Sequence, residues 1–189
     1  MQELLQLDRQ LFYLVNTVGQ NDFFDLILPL WRNKLTWIPL YILLAGGLVY
    51  KLKIKGLYLL VALGITIGIT DNISSRLIKK TVKRERPCRA EKMPRPARLL
   101  VHCGGGYSFT SNHAANHFSV AFFLIFLTAG VFKKYRWWLF PWAFLVAYAQ
   151  VYVGVHYPAD VICGAALGTF IAFCTAQVYQ FWVNKRETA

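Results

Sequence analysis

Five stretches of this chain contain no Lys, Arg, Asp or Glu: residues 35–50, 56–70, 113–132, 137–159 and 161–184. A soluble domain breaks its apolar segments with solvated side chains, whereas a bilayer crossing requires roughly 20 mostly apolar residues whose backbone is satisfied internally. Several such stretches within 189 residues leave room for little besides membrane helices. Composition agrees, with 56% apolar and only 16% charged residues, against about 25% charged in a soluble domain. The formal net charge of +12 would otherwise raise nucleic acid as a partner. Here the cations fall between long uncharged stretches, and no nucleic-acid role is expected.

The expected fold is therefore all-α, a polytopic membrane bundle with five or six transmembrane helices. Five spans are placed at 35–52, 57–78, 113–132, 137–156 and 160–182, within a membrane domain covering 35–184. Residues 1–34 precede it. There Leu4, Leu5, Leu7, Leu11, Phe12, Leu14 and Val15 recur at threes and fours among Glu3, Gln6, Asp8 and Gln10, which predicts an amphipathic helix on the membrane surface. A sixth span requires that helix to insert. The opening MQELLQLDRQ lacks the basic n-region of a cleaved signal, so the first span is expected to direct insertion. Four cysteines without a close CxxC pair indicate no zinc module.

Charge sets the expected topology. The breaks at 51–55 and 133–136 and the tail at 185–187 are basic. With five spans they share one face, which the positive-inside rule makes cytoplasmic. The opposite face receives the long connection 79–112 and the turn near 154–160. One segment violates the rule: from Arg76 to Arg98 there are ten basic residues against Glu85 and Glu91. A basic rim for lipid headgroups would account for this, and so would a pocket for a multiply charged anion, since Arg offers a planar fork and Lys a point charge to phosphate.

The same face collects the histidines. Ser111, after a glycine-rich loop, is placed to cap the third span, so free N–H groups would point outward, and His113 lies in its first turn. His117 is one turn deeper on the same side. In QVYVGVHYPAD, Pro158 separates two helices and brings His156 and Asp160 within about a turn of each other. A carboxylate there can fix the imidazole tautomer and leave the other ring nitrogen free. A histidine pair beside clustered cations suits phosphoryl transfer: a nucleophile, an acid for the leaving oxygen, and charges for the remaining oxygens.

Lys79-x6-Arg86-Pro87, Ser111-Asn112-His113 and Gln150-x5-His156-x3-Asp160 together resemble the three signature motifs of the type 2 phosphatidic acid phosphatase superfamily, the membrane lipid phosphatases. The resemblance runs from about residue 30 to 182. It implies an acid-phosphatase-like helical core and a metal-independent mechanism without cofactors. His156 would be the nucleophile, Asp160 its orienter and His113 the acid, with Lys79, Arg86, Ser111, Asn112 and Gln150 around the phosphate. It further implies a lipid phosphate or diphosphate substrate and a bacterial inner-membrane protein whose site faces the periplasm. Phosphohydrolysis is the expected reaction; lipid-to-lipid phosphoryl transfer and non-catalytic headgroup binding are the alternatives.

Two positions depart from the family pattern. Thr110-Ser111-Asn112-His113 stands where Pro-Ser-Gly-His is usual, and Gln150 where the third motif usually begins with Arg. The second change removes a bidentate charged clamp; Lys80, Lys83 or Arg84 are expected to compensate. Three structural expectations complete the reading. Gly164-x3-Gly168 allows a close helix contact, Asp71 should find a basic partner of the site, and Cys88 with Cys103 can bridge on the oxidising side.

Overall fold

The computed structural model describes residues 2–90 and 95–187; Glu91 and Lys92 of the basic connection lie outside the described residues. The helices are α1 (Gln2–Tyr13), α2 (Asp22–Trp31), α3 (Ile38–Leu52), α4 (Ile54–Asn72), α5 (Lys79–Val82), α6 (Asn112–Leu127), α7 (Ala129–Phe132), α8 (Leu139–Tyr152) and α9 (Pro158–Glu187). No strand occurs among the described residues. A π-helical stretch, Ile73–Ile78, joins α4 to α5 in one apolar run, Ile54–Val82.

Among the described residues, three helical runs are long and apolar enough to cross a membrane: Lys34–Leu52, Ile54–Val82 and Pro158–Lys185. The pair Asn112–Leu127 and Ala129–Tyr152, bent by 76°, raises the number to four if it counts as one span. By helix length and composition alone, the described residues carry three or four spans, where the sequence reading expects five or six. The shortfall lies in α6 and α8, with 16 and 14 residues, which at 1.5 Å per residue fall short of a hydrocarbon core about 30 Å thick.

Helix α6 is the most enclosed, with Ala114, Ala115, Ala121 and Phe123 buried completely. It packs chiefly against α9, and the glycines explain the approach. A Cβ on Gly168 would stand 2.0 Å from the Ala115 carbonyl oxygen, and one on Gly164 2.6 Å from that of Ser111. The expected close contact is therefore internal to the bundle, as small residues at membrane-helix interfaces allow. Outward positions such as Ile42, Leu43, Ile65, Phe170 and Val178 are exposed, as lipid-facing side chains should be.

The N-terminal residues belong to this packing. Helix α1 buries Asp8 and Phe12, while Leu4, Leu5, Leu7 and Leu11 face outward. Its polar side thus contributes an inward carboxylate. Further along, Asn16 is fully buried; its Nδ2 donates to the carbonyls of Arg98 (2.8 Å) and Tyr152 (2.7 Å). Arg98 pairs bidentately with Asp25 at 2.7 and 2.9 Å. These contacts fasten the basic connection to the end of α8. The connection is also closed by a Cys88–Cys103 disulfide.

Candidate active site

The site forms where the end of α8, the start of α9 and the start of α6 meet. The turn between α8 and α9 depends on Gly154, whose φ of 87° and 2.4 Å Cβ clearance from the Arg98 carbonyl exclude a side chain. Beyond it, the N–H groups of Val155 and His156 both donate to the Gln150 carbonyl at 3.2 Å. His156 is thereby held directly above Gln150. The Ser111 N–H donates to the Asp160 carbonyl at 2.9 Å, and the Ser111 hydroxyl caps α6 through Ala114 N at 3.4 Å. One backbone bond therefore ties the helix carrying His113 to the helix carrying Asp160.

The tautomer of His156 follows from its partners. Arg86 Nη1 lies 3.1 Å from His156 Nε2. A guanidinium only donates, so Nε2 accepts and its lone pair faces the cation. The ring proton is then on Nδ1, 3.3 Å from Ser108 Oγ and 3.5 Å from Asp160 Oδ2. Ser108 in turn donates to Asp160 Oδ2. Burial pushes the His156 imidazole down to about 4, partly opposed by its hydrogen bond to Asp160. In the resting protein the ring is neutral at physiological pH.

Asp160 is fully buried and heavily bonded. Oδ2 also accepts from Tyr157 N at 2.9 Å, and Oδ1 accepts from Arg84 Nη1 at 2.7 Å. Arg84 reaches back with Nη2 to Asp8 at 2.5 Å and stacks on Tyr157 at 4.0 Å. Asp8 itself accepts from Ala159 N at 2.8 Å. The chain Asp8, Arg84, Asp160, Ser108, His156 is thus a continuous orienting network. Sequence reasoning missed Asp8 and Ser108. Asp8 sat in a segment read as interfacial, and Ser108 carries no motif signal; a lone acid among the leucines of α1 was the only available hint.

The remaining predicted residues divide between two sides. Arg86 also donates to the carbonyls of Val155 (3.1 Å) and Gly105 (3.3 Å), and Lys79 Nζ donates to those of Tyr107 (3.0 Å) and Ser108 (3.2 Å). Both cations brace the glycine loop around His156. His113, by contrast, opens onto a cleft of about 520 Å³ between α3, α4, α6 and α8. Asn112 and Asp71 line the end of it nearest His113, and Leu44, Leu48, Leu63 and Leu124 are among its apolar walls. Asp71 accepts from Asn112 (2.8 Å) and Asn116 (3.1 Å). Its hydrogen bonds come from neutral amides rather than the expected basic residue, since the Lys79 ammonium donates to the loop carbonyls of Tyr107 and Ser108 instead.

Two further placements bear on the missing motif arginine. Gln150 is fully buried, and its Oε1 accepts from Arg32 Nε at 3.2 Å. Arg84 does not compensate for the absent motif arginine, since its guanidinium is taken by Asp8 and Asp160. Lys80 and Lys83 are exposed. Deeper in the cleft, His117 donates from Nδ1 to the His113 carbonyl at 2.8 Å. His117 Nε2, Trp142 Nε1 and Asn116 Oδ1 are buried without hydrogen-bond partners among the described residues.

The family profile described as the PAP2 superfamily matches residues 55–184. The lipid A 4'-phosphatase of Bacteroides thetaiotaomicron is 34% identical over 176 residues, spanning 88% of this chain and 74% of that protein. The lipid A 4'-phosphatase of Porphyromonas gingivalis is 30% identical over 185 residues, spanning 96% of this chain and 76% of that one. In fold, the crystal structure of a transmembrane PAP2-type phosphatidylglycerolphosphate phosphatase from Bacillus subtilis superposes with a TM-score of 0.71 at 19% identity, covering 95% and 88% of the two chains.

Proposed function

The chain belongs to the PAP2 superfamily of membrane phosphatases, and from that premise we propose that it hydrolyses a phosphate ester of a membrane lipid through a phosphohistidine on His156. The observation that carries the proposal is the 3.1 Å approach of Arg86 Nη1 to the lone pair of His156 Nε2. A cation poised at an unprotonated ring nitrogen supports this reading, because a phosphoryl group arriving there would meet both. Nε2 attacks phosphorus, the N–P bond forms as the P–O bond to the lipid breaks, and His113 gives its proton to the leaving oxygen. Asp160 and Ser108 hold the Nδ1 proton while the ring gains positive charge. Water then attacks phosphorus as His113 takes a proton from it; the N–P bond breaks and inorganic phosphate leaves.

The cleft suits the two halves of a lipid phosphate substrate differently. It adjoins His113, where the leaving alcohol would be, and its leucine-lined walls are apolar enough for an acyl chain. The unpartnered polar atoms of Asn116, His117 and Trp142 suit a headgroup rich in hydroxyls or amides, because a buried polar group left unmatched is costly. Together with the activity of the two lipid A 4'-phosphatases, they favour a sugar-linked lipid phosphate monoester of the lipid A class. The site is assigned to the periplasmic side of the inner membrane. The basic 51–55 turn supports this, since the Lys55 carbonyl accepts from Tyr179 Oη (3.2 Å) near the far end of α9.

The test is phosphate release in detergent, with EDTA present, from lipid A 4'-phosphate, phosphatidylglycerophosphate, undecaprenyl diphosphate and phosphatidate. Release is expected to persist in EDTA and to be fastest with lipid A phosphate. His156→Ala should abolish both turnover and an acid-labile phosphoenzyme. Turnover above roughly 1% of wild type in that variant would rule out covalent catalysis at this position.

A further inference from the structure

Gln150 occupies the position at which the third motif should supply a guanidinium, yet its side chain ends in an amide carbonyl turned toward another guanidinium. We infer that Arg32, at the end of α2, is the phosphate clamp of this protein, and that Gln150 is the positioning residue that aims it. The inference rests on the phosphohydrolase reading above and concerns how that same site holds its phosphate.

Three observations support it. First, Arg32 spends only Nε on the protein, at 3.2 Å from Gln150 Oε1. Its two Nη groups have no hydrogen-bond or ion-pair partner among the described residues, so the forked end that grips a phosphate bidentately is unspent. Second, the surroundings are cationic. Arg32 and Arg86 both act electrostatically on His113, and Arg86 acts on Arg32. Arg32 and Arg86 are both half-buried, and a phosphate bound near His113 would be shared between two such cations. Third, Gln150 is fixed by the turn that fixes His156, because its carbonyl accepts the His156 N–H at 3.2 Å. A guanidinium held by the Gln150 side chain is therefore referenced to the nucleophile.

The other candidate cations are already engaged. Arg84 is bound to Asp8 and Asp160, Arg98 to Asp25, and Arg89 donates to the Gly104 carbonyl. The charge lost from α8 has thus moved to α2. The shorter neutral side chain left behind is what makes room for it and holds its Nε.

Relocating the charge provides the test. Arg32→Gln is expected to lower kcat/KM on lipid A 4'-phosphate by about 100-fold, the scale of removing one well-aimed donor. Its thermal midpoint and circular dichroism should remain those of wild type. Arg32→Lys, which keeps the charge but not the fork, should lie between the two. Gln150→Arg alone should gain less than about threefold, because the place is already filled. Combined with Arg32→Gln, Gln150→Arg should recover at least about tenfold over Arg32→Gln alone, a rescue that a merely structural role for Arg32 would not give. Inhibition by inorganic phosphate should weaken in Arg32→Gln and return in the double variant. An active wild type with undiminished activity in Arg32→Gln, or a double variant showing no rescue, would overturn the inference and leave the phosphohydrolase reading intact. If Arg32→Gln misfolds, an Arg32→Lys variant with wild-type kcat/KM and phosphate inhibition would overturn it. A wild type releasing no phosphate from any of the four lipids would overturn the parent reading instead.

Discussion

Substituting Gly168 by Ala, about two turns beyond Asp160 in α9, should disable the site. Helix α6 carries Ser111, Asn112 and His113, α9 carries Asp160, and their spacing is set where Gly168 meets Ala115. An added Cβ would stand 2.0 Å from the Ala115 carbonyl oxygen, 2.9 Å from its carbonyl carbon and 3.0 Å from Ser119 N. These are backbone atoms within a buried helix, so no side-chain rotation relieves the clash. Restoring a 3.0 Å limit requires the helices to part by about 1 Å, and ordinary contact by about 1.4 Å. A misplacement of about 1 Å between reacting groups costs on the order of 100-fold in rate, and overpacking costs about 1–3 kcal/mol of stability. Phosphate release and thermal unfolding in the same detergent would measure both quantities. Gly68→Ala in α4 is the control: a Cβ there meets nothing within 4 Å, and helix propensity favours Ala by about 1 kcal/mol. A Gly168→Ala protein within about threefold of wild-type turnover would refute the claim that this contact sets the register of the site.

Two further expectations concern the resting protein. Because burial lowers His156 to about 4, its ring should remain neutral as pH falls from 7 to about 5 and gain a proton only near 4; histidine NMR showing a protonated His156 at pH 6 would contradict the tautomer derived above. Cys88 and Cys103 are paired, so neither should react with a maleimide before reduction, and free reaction of both would show the bridge absent.

Much of the site was legible because its chemistry is local in sequence. His156 and Asp160 are one helical turn apart across Pro158, and Ser111 and His113 flank a helix start, so spacing alone predicted that they would meet. A close helix contact was equally visible in Gly164-x3-Gly168, although its partner, α6, was not. The N-terminal helix was harder to read. Its leucine periodicity correctly indicated an amphipathic helix, but in a membrane protein an apolar stripe can face lipid as readily as a core. The buried side of α1 therefore carries Asp8, not a run of leucines. The number of spans was not legible either, because uncharged length does not reveal where a helix ends: α8 stops at Tyr152 and α6 at Leu127.

What the sequence determined by itself is set by short-range physics: long uncharged runs demand helices in lipid, and motifs within one turn place His156 beside Asp160 and His113 at a capped helix end. Only the tertiary structure decided which distant groups complete the arrangement. Asp8 reaches Arg84 and Asp160 across 76 positions for each link of Arg84, and Arg32 reaches Gln150 across 118. A lone charge in a sequence carries no sign of its partner. Whether it is solvated, paired or left facing an empty anion site depends on which helix ends converge, and that is fixed by the packing of glycine and alanine faces far from the charges themselves.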